Sequence, residues 1–389
     1  MNRKIALKIV APLLGIAFAL GAPQGAMAAG TAACTAISNS ATTNFTVGGV
    51  PQTAVTSATA TFKVGNKVNV DVSLNGDSSW QTVYPGTADG AMHFKITNLG
   101  NAYQLYALTT STAATSQFGG IETFDASQPP ASGRAIRIHN AVNGGGAYTS
   151  YATDKTIVLA PDDYILAEVL SDISVAQVDL DISSHYLKAV TRNADDSAIA
   201  EADGTVKTGA AGATTCTNAE GAYVVFADTV AGSDDAPKDG AHSIRDAYKV
   251  CAADLTVGKA SAVYSDPING TVSPRAIPGA VMTYTITVTN NGAAACANAT
   301  SVNITDSLNS EITSAHLAFG NTPVGWFDDG VTACAAGQGI VVGGVCKTNA
   351  SAADDNVDFN VTTGNTVTIT GLSVPFGTST VIKFQSTIQ

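Results

Sequence analysis

The chain has 389 residues, of which 45% are hydrophobic, 13% are charged and 6% are aromatic, with a formal net charge of −12. The hydrophobic fraction excludes a disordered chain, and the negative charge argues against nucleic acid or an anionic lipid surface as a partner. The many Gly, Ala, Ser, Thr and Asn residues are typical of exported β-rich surface proteins.

Residues 1–28 have the features of a secretory signal peptide. Arg3, Lys4 and Lys8 form a basic start, an apolar stretch runs from Ile9 to Leu20, and Ala26 to Ala28 form a small-residue cleavage site. Removal of this segment changes the net charge from −12 to −15, because it takes away three basic residues and no acidic one. No later stretch is long and apolar enough for a membrane helix. We therefore expect a secreted protein, at the cell surface or outside the cell, with no membrane span in the mature chain.

Residues 29–64 alternate between apolar and polar side chains, which predicts a β-hairpin. The first run places alternate side chains on one face: Ile37, Asn39, Ala41, Thr43, Phe45 and Val47. Gly48-Gly49 suits a two-residue turn, and a second alternating run follows from Ala58 to Val64. We interpret Ile37, Asn39, Ala41, Phe45 and Val47 as a surface that contacts another sheet.

Two units with a common pattern follow. Pro85-Gly86 precedes a strand that ends in Thr97-Asn98-Leu99-Gly100, and Pro278-Gly279 precedes a strand that ends in Thr289-Asn290-Asn291-Gly292. Period-two alternation with Thr on the polar side suits sandwich sheets. The sequence predicts an all-β protein with β-sandwiches at 65–190 and 253–389. An Ala/Asp/Gly-rich connection covers 191–252, in which Ala241 to Tyr248 is expected to form one short helical turn at most.

The second unit resembles the conserved-repeat family of bacterial and archaeal surface proteins (domain of unknown function eleven). The matching motifs are Leu255-Thr-Val-Gly-Lys259, Pro278-Gly279, Tyr284-Thr-Ile-Thr-Val-Thr-Asn-Asn-Gly292 and Val302-Asn-Ile-Thr-Asp306. The family's closing Ile-x-Asn-x-Ala motif is expected after Gln389 and stands instead at Ile37-Ser-Asn39-Ser-Ala41. The match is good over 254–389 and 37–64, and looser over 65–190. The resemblance implies tandem immunoglobulin-like sandwiches and no catalytic residues.

Six cysteines in an exported chain predict disulfides, although six cysteines allow 15 pairings. Cys334–Cys346 would close a Gly-rich loop, and Cys216–Cys251 is plausible within the middle region. Exclusion then leaves Cys34–Cys296. A zinc site is disfavoured because the chain has no C-x-x-C and no His at ligand spacing.

Few residues suggest a ligand site. Asp354, Asn356 and Asp358 have calcium-ligand spacing, but Phe359 stands where a calcium loop requires Gly, so solvated acidic turns are the simpler interpretation. We expect no other metal and no cofactor. The five histidines are scattered and no nucleophile–base motif occurs, so we do not expect an enzyme.

A covalent cross-link is a further hypothesis. Lys259 on the entry strand, Asp306 and Asn39 on the displaced closing motif are the types needed for a Lys–Asn amide promoted by a buried acid. The simpler interpretation is an exposed edge lysine and a polar strand asparagine.

The sequence predicts a structural protein that assembles with copies of itself. Residues 33–64 would complete the second sandwich of a neighbouring subunit, giving a head-to-tail extracellular filament, with Cys34–Cys296 as an intermolecular bond. In the alternative, the hairpin folds back onto its own second sandwich and the protein is a monomeric surface or adhesive protein.

Overall fold

The computed structural model describes residues 30–389 except 78, 134, 151–157, 202–204, 208–213, 218–219, 230–234, 293–296, 322–325 and 350–354. The predicted signal peptide, 1–28, lies outside the described residues. The regular secondary structure of the described residues is almost entirely β-strand, which confirms the all-β prediction. Among the described residues, no helix is long and apolar enough to cross a membrane.

Six short strands build the predicted N-terminal hairpin: Ala36–Asn39 (β1), Thr42–Thr43 (β2), Thr46–Val47 (β3), Val50–Pro51 (β4), Val55–Thr56 (β5) and Ala60–Lys63 (β6). β1 pairs with β6, β2 with β5 and β3 with β4, all antiparallel. Gly48 and Gly49 form the turn with φ of 61° and 85°, which only glycine adopts readily at two successive positions. The first arm therefore runs over β1–β3 and the second over β4–β6.

The first sandwich packs two antiparallel-rich sheets over one core. Its strands are Asn66–Val68 (β7), Val70–Leu74 (β8), Gln81–Val83 (β9), Gly90–Asn98 (β10), Gln104–Thr112 (β11), Ile136–His139 (β12), Tyr148–Ser150 (β13), Tyr164–Ser171 (β14), Ile182–Asn193 (β15), Thr205–Lys207 (β16), Thr214–Thr217 (β17), Val224–Phe226 (β18) and Ala241–Val250 (β19). One sheet has the order β13-β12-β14-β10-β8 and the other β11-β15-β19-β9. The pairs β16–β17 and β18–β7 lie outside these two sheets.

β19 corrects two predictions about residues 191–252. It is a strand and not a helical turn, and it pairs with β15 over nine residues, from Ile182↔Lys249 to Val190↔Ala241. The first sandwich therefore extends to Val250, and the predicted boundary at 190 falls within β15. The sequence did not predict this strand because polar residues such as His242 and Asp246 are buried in it. β19 therefore does not alternate between apolar and polar side chains.

The second sandwich has a smaller second sheet. Its elements are Leu255–Ser265 (β20), Val281–Asn290 (β21), Ala299–Ser307 (β22), Asn309–Thr313 (α1), Leu317–Phe319 (β23), Ile340–Val342 (β24), Val345–Lys347 (β25), Val357–Phe359 (β26), Thr366–Val374 (β27) and Ser379–Ile388 (β28). One sheet has the order β20-β21-β28-β24-β25, with β23 also on β28, and the other has the order β22-β27-β26.

The predicted repeat is confirmed by one brace that occurs in both units. Asn98 Nδ2 donates to the carbonyls of Ala102 (2.8 Å) and Leu159 (3.0 Å), and its Oδ1 accepts from Gly100 N (2.9 Å). Asn290 repeats this set with Ala297 (2.7 Å), Val374 (3.0 Å) and Gly292 N (3.0 Å). Both asparagines are fully buried. The braces place Asn98 and Asn290 at equivalent positions of the two units.

The hairpin and the second sandwich leave the first sandwich at opposite ends. The chain enters from the hairpin beside the Asn98–Gln104 connection, where Ala33 N donates to Asn101 O. The pairings Gln104↔Asn193 and Val190↔Ala241 place the start of β19 at this same end. β19 then runs the length of the sheet, and the second sandwich follows after Val250. Ten strand residues span about 30 Å.

Candidate assembly surfaces

The N-terminal hairpin projects from the body of the protein. Every residue from Thr35 to Phe62 is exposed, including the large apolar side chains Ile37, Phe45, Val47, Val50, Val55 and Phe62. An isolated two-stranded hairpin is only marginally stable in water, and an exposed row of apolar side chains marks an interaction site. These residues include the five predicted from the sequence.

The two faces of the hairpin differ in chemistry. Cross-strand pairs on one face are Ile37 with Phe62, Asn39 with Ala60, Thr43 with Val55, and Val47 with Val50. On the other face hydroxyls pair with hydroxyls at 2.9 Å, Ser38 with Thr61 and Thr42 with Thr56. The large apolar side chains and the paired hydroxyls of the hairpin therefore lie on different faces.

A disulfide between Cys34 and Cys216 ties the base of the hairpin to the first sandwich. The predicted pairs Cys34–Cys296 and Cys216–Cys251 are wrong, because β16 and β17 fold back beneath the hairpin and bring Cys216 to Cys34 across 182 positions. Cys334–Cys346 is confirmed. Cys251 is disulfide-bonded, and Cys296 lies outside the described residues. Disulfides of this kind are typical of proteins from oxidising compartments.

Further contacts hold the same base. Cys34 N donates to Val64 O (2.8 Å), Val64 N donates to Thr35 O (2.9 Å), and Lys63 Nζ lies 2.6 Å from Glu220 Oε1. Ala33 is buried in a small apolar cluster with Val68, Ala102, Val206, Ala222 and Val224. The hairpin is thus fixed at its base and free along its arms.

The second sandwich has a groove, which we name the open groove, between the core-facing side of β20 and the free edge of β22. It is formed by Leu255, Val257, Lys259, Val302, Ile304 and Asp306. The β20 residues pair with the buried residues Asn290, Val288 and Ile286, so they point toward the core side of their sheet. β20 nevertheless is exposed along most of its length. The alternating residues Leu255, Val257 and Lys259 predicted that β20 has one core-facing side. The sequence could not show that this side is left uncovered.

Equivalent positions in the first sandwich are buried. Val72 pairs with Ile96 and Val257 pairs with Val288, two residues before the brace asparagine in each case. Val72 is 1% exposed, whereas Val257 is 66% exposed. In the first sandwich β15 and β19 supply the cover, with Leu187, Ala189, Tyr248 and Val250 in the core. His242 of β19 also accepts a hydrogen bond from Val72 N (2.8 Å).

Counterparts of β15 and β19 are absent from the second sandwich within its described residues. β11 and β22 follow the brace in their units, and β11 pairs with β15 along the first sandwich. β22 pairs with β27 on one side and has no partner on the other in the described chain. Within its described residues, the second sandwich therefore lacks the two adjacent strands that cover the first.

Lys259 and Asp306 meet across the open groove. Lys259 Nζ lies 2.8 Å from both carboxylate oxygens of Asp306 and 5.1 Å from the ring centre of Tyr284. The Lys259 side chain is 45% exposed and the Asp306 side chain is 9% exposed. The structure brings two of the three predicted cross-link residues together, and Asn39 lies on the exposed hairpin of the same chain.

Of the calcium candidates, Asp358 uses its carboxylate to stabilise a turn. Asp358 is buried, and its carboxylate accepts from Val361 N (3.1 Å), Thr362 N (3.0 Å) and Thr362 Oγ1 (2.7 Å). Asn356 is exposed with φ of 63°, and Asp354 lies outside the described residues. No group of three His, Cys, Asp or Glu residues within the described part of the chain is placed to hold a metal.

A buried charged cluster lies in the first sandwich. Burial raises the pKa of Asp246, and the nearby Asp77 carboxylate adds a smaller increase. Burial lowers the pKa of His185 to about 4. Asp77 Oδ2 lies 3.1 Å from His93 Nδ1, and Glu168 pairs with Arg137. These groups lie on β10, β12, β14, β15 and β19 and on the segment after β8, so the cluster belongs to the first sandwich and not to the open groove.

No protein-family model matches the chain, and no curated protein matches it either. The conserved-repeat resemblance therefore stays a prediction based on motifs.

Proposed function

We propose that the protein is an exported structural subunit that assembles head to tail into an extracellular filament. The hairpin of one subunit enters the open groove of the next, where its first arm pairs with β22 and its second arm lies beyond it. The observation that carries the proposal concerns the number of strands. One end of the protein exposes two paired strands, and the second sandwich at the other end lacks, in its described residues, the two strands that cover the first.

Burial of apolar side chains drives insertion. Covering a Val, Leu, Ile or Phe side chain contributes about 1.5–3 kcal/mol, and both partners contribute exposed apolar residues, such as Phe62 from the hairpin and Val257 from the groove. The free edge of β22 also gains backbone hydrogen bonds, as in other strand-addition complexes. The hairpin is already formed and fixed at its base, which reduces the ordering cost of association.

Geometry favours an open chain of subunits. The hairpin and the second sandwich leave the first sandwich at opposite ends, about 30 Å apart, so each insertion leaves a new hairpin and a new groove at the two ends. Heterologous contacts that do not close produce filaments. A secreted, cell-surface location suits the disulfides and the resemblance to surface proteins.

Two single substitutions separate the two surfaces. Phe45→Asp places a charge on the apolar face of the hairpin, and Val257→Asp places one in the groove, where the exposed side chain has no role in the subunit's own core. Each variant alone is expected to be monomeric in sedimentation and to give no filaments in negative-stain microscopy, because an unpaired buried charge is costly. Thr46→Asp, next to Phe45 on the hydroxyl face of the hairpin, and Ala260→Asp, on the opposite face of β20, serve as controls that still assemble.

Mixing the two variants gives the decisive result. The intact hairpin of Val257→Asp should enter the intact groove of Phe45→Asp and give a heterodimer that grows no further. If the hairpin instead folds back onto its own second sandwich, wild-type protein is monomeric and the mixture contains no heterodimer. That outcome would reject the filament in favour of the monomeric surface protein.

A further inference from the structure

We infer that insertion of the hairpin leads to a covalent amide between Lys259 of one subunit and Asn39 of the next, promoted by Asp306. This inference rests on the proposed function. It assigns a chemical role to an ion pair that the ordinary folding of the subunit does not require.

Lys259 occupies an unusual position for a lysine. It stands on the core-facing side of β20, in line with Val257 and opposite the buried Ile286. Lysines at such sites are rare because burial of an ammonium is costly. Here the cost is avoided in the free subunit, because the groove is open to water. Closing the groove removes that water and leaves Lys259 and Asp306 as an enclosed pair.

Asn39 is the only carboxamide on the apolar face of the first arm, between Ile37 and Ala41. In the first sandwich, β11 and β15 are antiparallel, with the end of β11 beside the start of β15, as in Thr112↔His185. The same pairing of β22 with the first arm places the start of that arm beside the end of β22, where Asp306 lies. Asn39 then faces into the groove next to Lys259.

The chemistry needs no further reactant. Enclosure favours the neutral forms of the amine and the acid, so the Lys259 ammonium passes a proton to the Asp306 carboxylate. The free amine of Lys259 attacks Cγ of Asn39, and a new C–N bond forms. Asp306 returns its proton to the departing amino group, the old C–N bond breaks, and ammonia leaves. The amine proton released on collapse passes to Asp306, which remains protonated.

The test uses assembled wild-type protein boiled in detergent and reductant. The expected result is a ladder of covalent oligomers, together with a peptide that joins Asn39 to Lys259 and is lighter by one ammonia in mass spectrometry. Asn39→Ala, Lys259→Arg and Asp306→Asn should still form filaments by microscopy but run as monomers on the gel. Lys383→Arg and Asn44→Ala are the controls that keep the ladder. Lys383 is matched because its Nζ also lies 2.8 Å from a carboxylate, Asp329.

Three other outcomes overturn the inference in distinguishable ways. Wild-type filaments that dissolve to monomers, with unmodified Asn39 and Lys259 peptides, reject the amide and leave the proposed assembly intact. A ladder that persists in Asn39→Ala places the bond elsewhere. Absence of filaments in every preparation rejects the proposed function and the amide with it.

Discussion

The two sandwiches share one brace and differ in how they are closed. Val70 and Val72 of the first are 1% exposed, while the equivalent Leu255 and Val257 of the second are 39% and 66% exposed. The difference arises because β15 and β19 cover the first unit and no described strand takes their place in the second. A fold repeated within one chain can therefore be covered in one copy and uncovered in the other, although both copies keep the brace.

The largest effects should come from the braces. Asn98→Ala removes three hydrogen bonds and takes the partner from the Ala102 carbonyl and the Gly100 N–H, while Leu159 O keeps its bond from Gln104 N. Each buried group left unpaired costs about 1–3 kcal/mol, so the first sandwich should lose several kcal/mol. Asn290→Ala should destabilise only the second, because the two cores are separate clusters. Calorimetry that resolves two transitions checks this. Asn291→Ala, at the exposed neighbour, should change little; equal losses in both transitions would contradict the separate cores.

A peptide of residues 36–62 should distinguish the two units in protein whose own residues 36–62 are replaced by a short glycine linker, which keeps the hairpin base and the Cys34–Cys216 bond. Binding to the open groove should raise the melting temperature of the second transition, with a gain of about 2.7 kcal/mol at a hundredfold excess over Kd. The first transition should stay where it is, since that unit is already covered. The same peptide with Phe45→Asp is the control, and a shift of the first transition alone would refute the assignment of the groove.

Loss of the Cys34–Cys216 bond should act on the hairpin base in the first unit. Replacing both residues by Ala should cost about 2–4 kcal/mol and increase hydrogen exchange at the backbone amides of positions 33, 34 and 64. The second transition should be unaffected. Cys34 is bonded within its own chain, so it should not link one subunit to another. Denaturing gels without reductant should therefore show no ladder of oligomers that disappears when reductant is added. Such a ladder would show that Cys34 exchanges partners on assembly.

The smallest effect concerns pH and only the first unit. Burial raises the pKa of Asp246, so the folded state keeps a proton that the unfolded chain releases. The resulting stability is complete below the ordinary pKa of Asp and is lost as pH rises through the raised value. His185 acts oppositely: its lowered pKa makes stability fall as pH drops from 6.5 toward 4. Above pH 6.5 Asp246 dominates.

Thermal unfolding measured from pH 6.5 to 9 should show the first transition falling by at most about 1.4 kcal/mol per pH unit for one proton. Asp246→Asn should flatten this slope, and the second transition serves as the internal reference. A wild-type slope that survives Asp246→Asn would assign the titration to another group.

The sequence predicted the features of the fold that depend on residues close together in the chain. Alternation and Gly48-Gly49 gave the hairpin, and the Thr-Asn-x-Gly turns gave the repeat, because both depend on neighbouring residues. Cys34–Cys216 was missed because it depends on a return of the chain after 182 positions. β19 was missed because its buried polar residues break the period. The open groove was beyond reach, since exposure of Val257 depends on a strand elsewhere in the fold.

The disulfide at the hairpin base has a mechanical consequence. If the proposed filament forms, tension on each subunit would arrive through the hairpin, and strands pulled from one end separate one hydrogen bond at a time. Cys34 stands at the root of the first arm, and its link to Cys216 passes the load to β17 and the cluster beneath it. The pull then travels along β19 into the second sandwich. A covalent staple thus stands where unzipping of the subunit would otherwise begin.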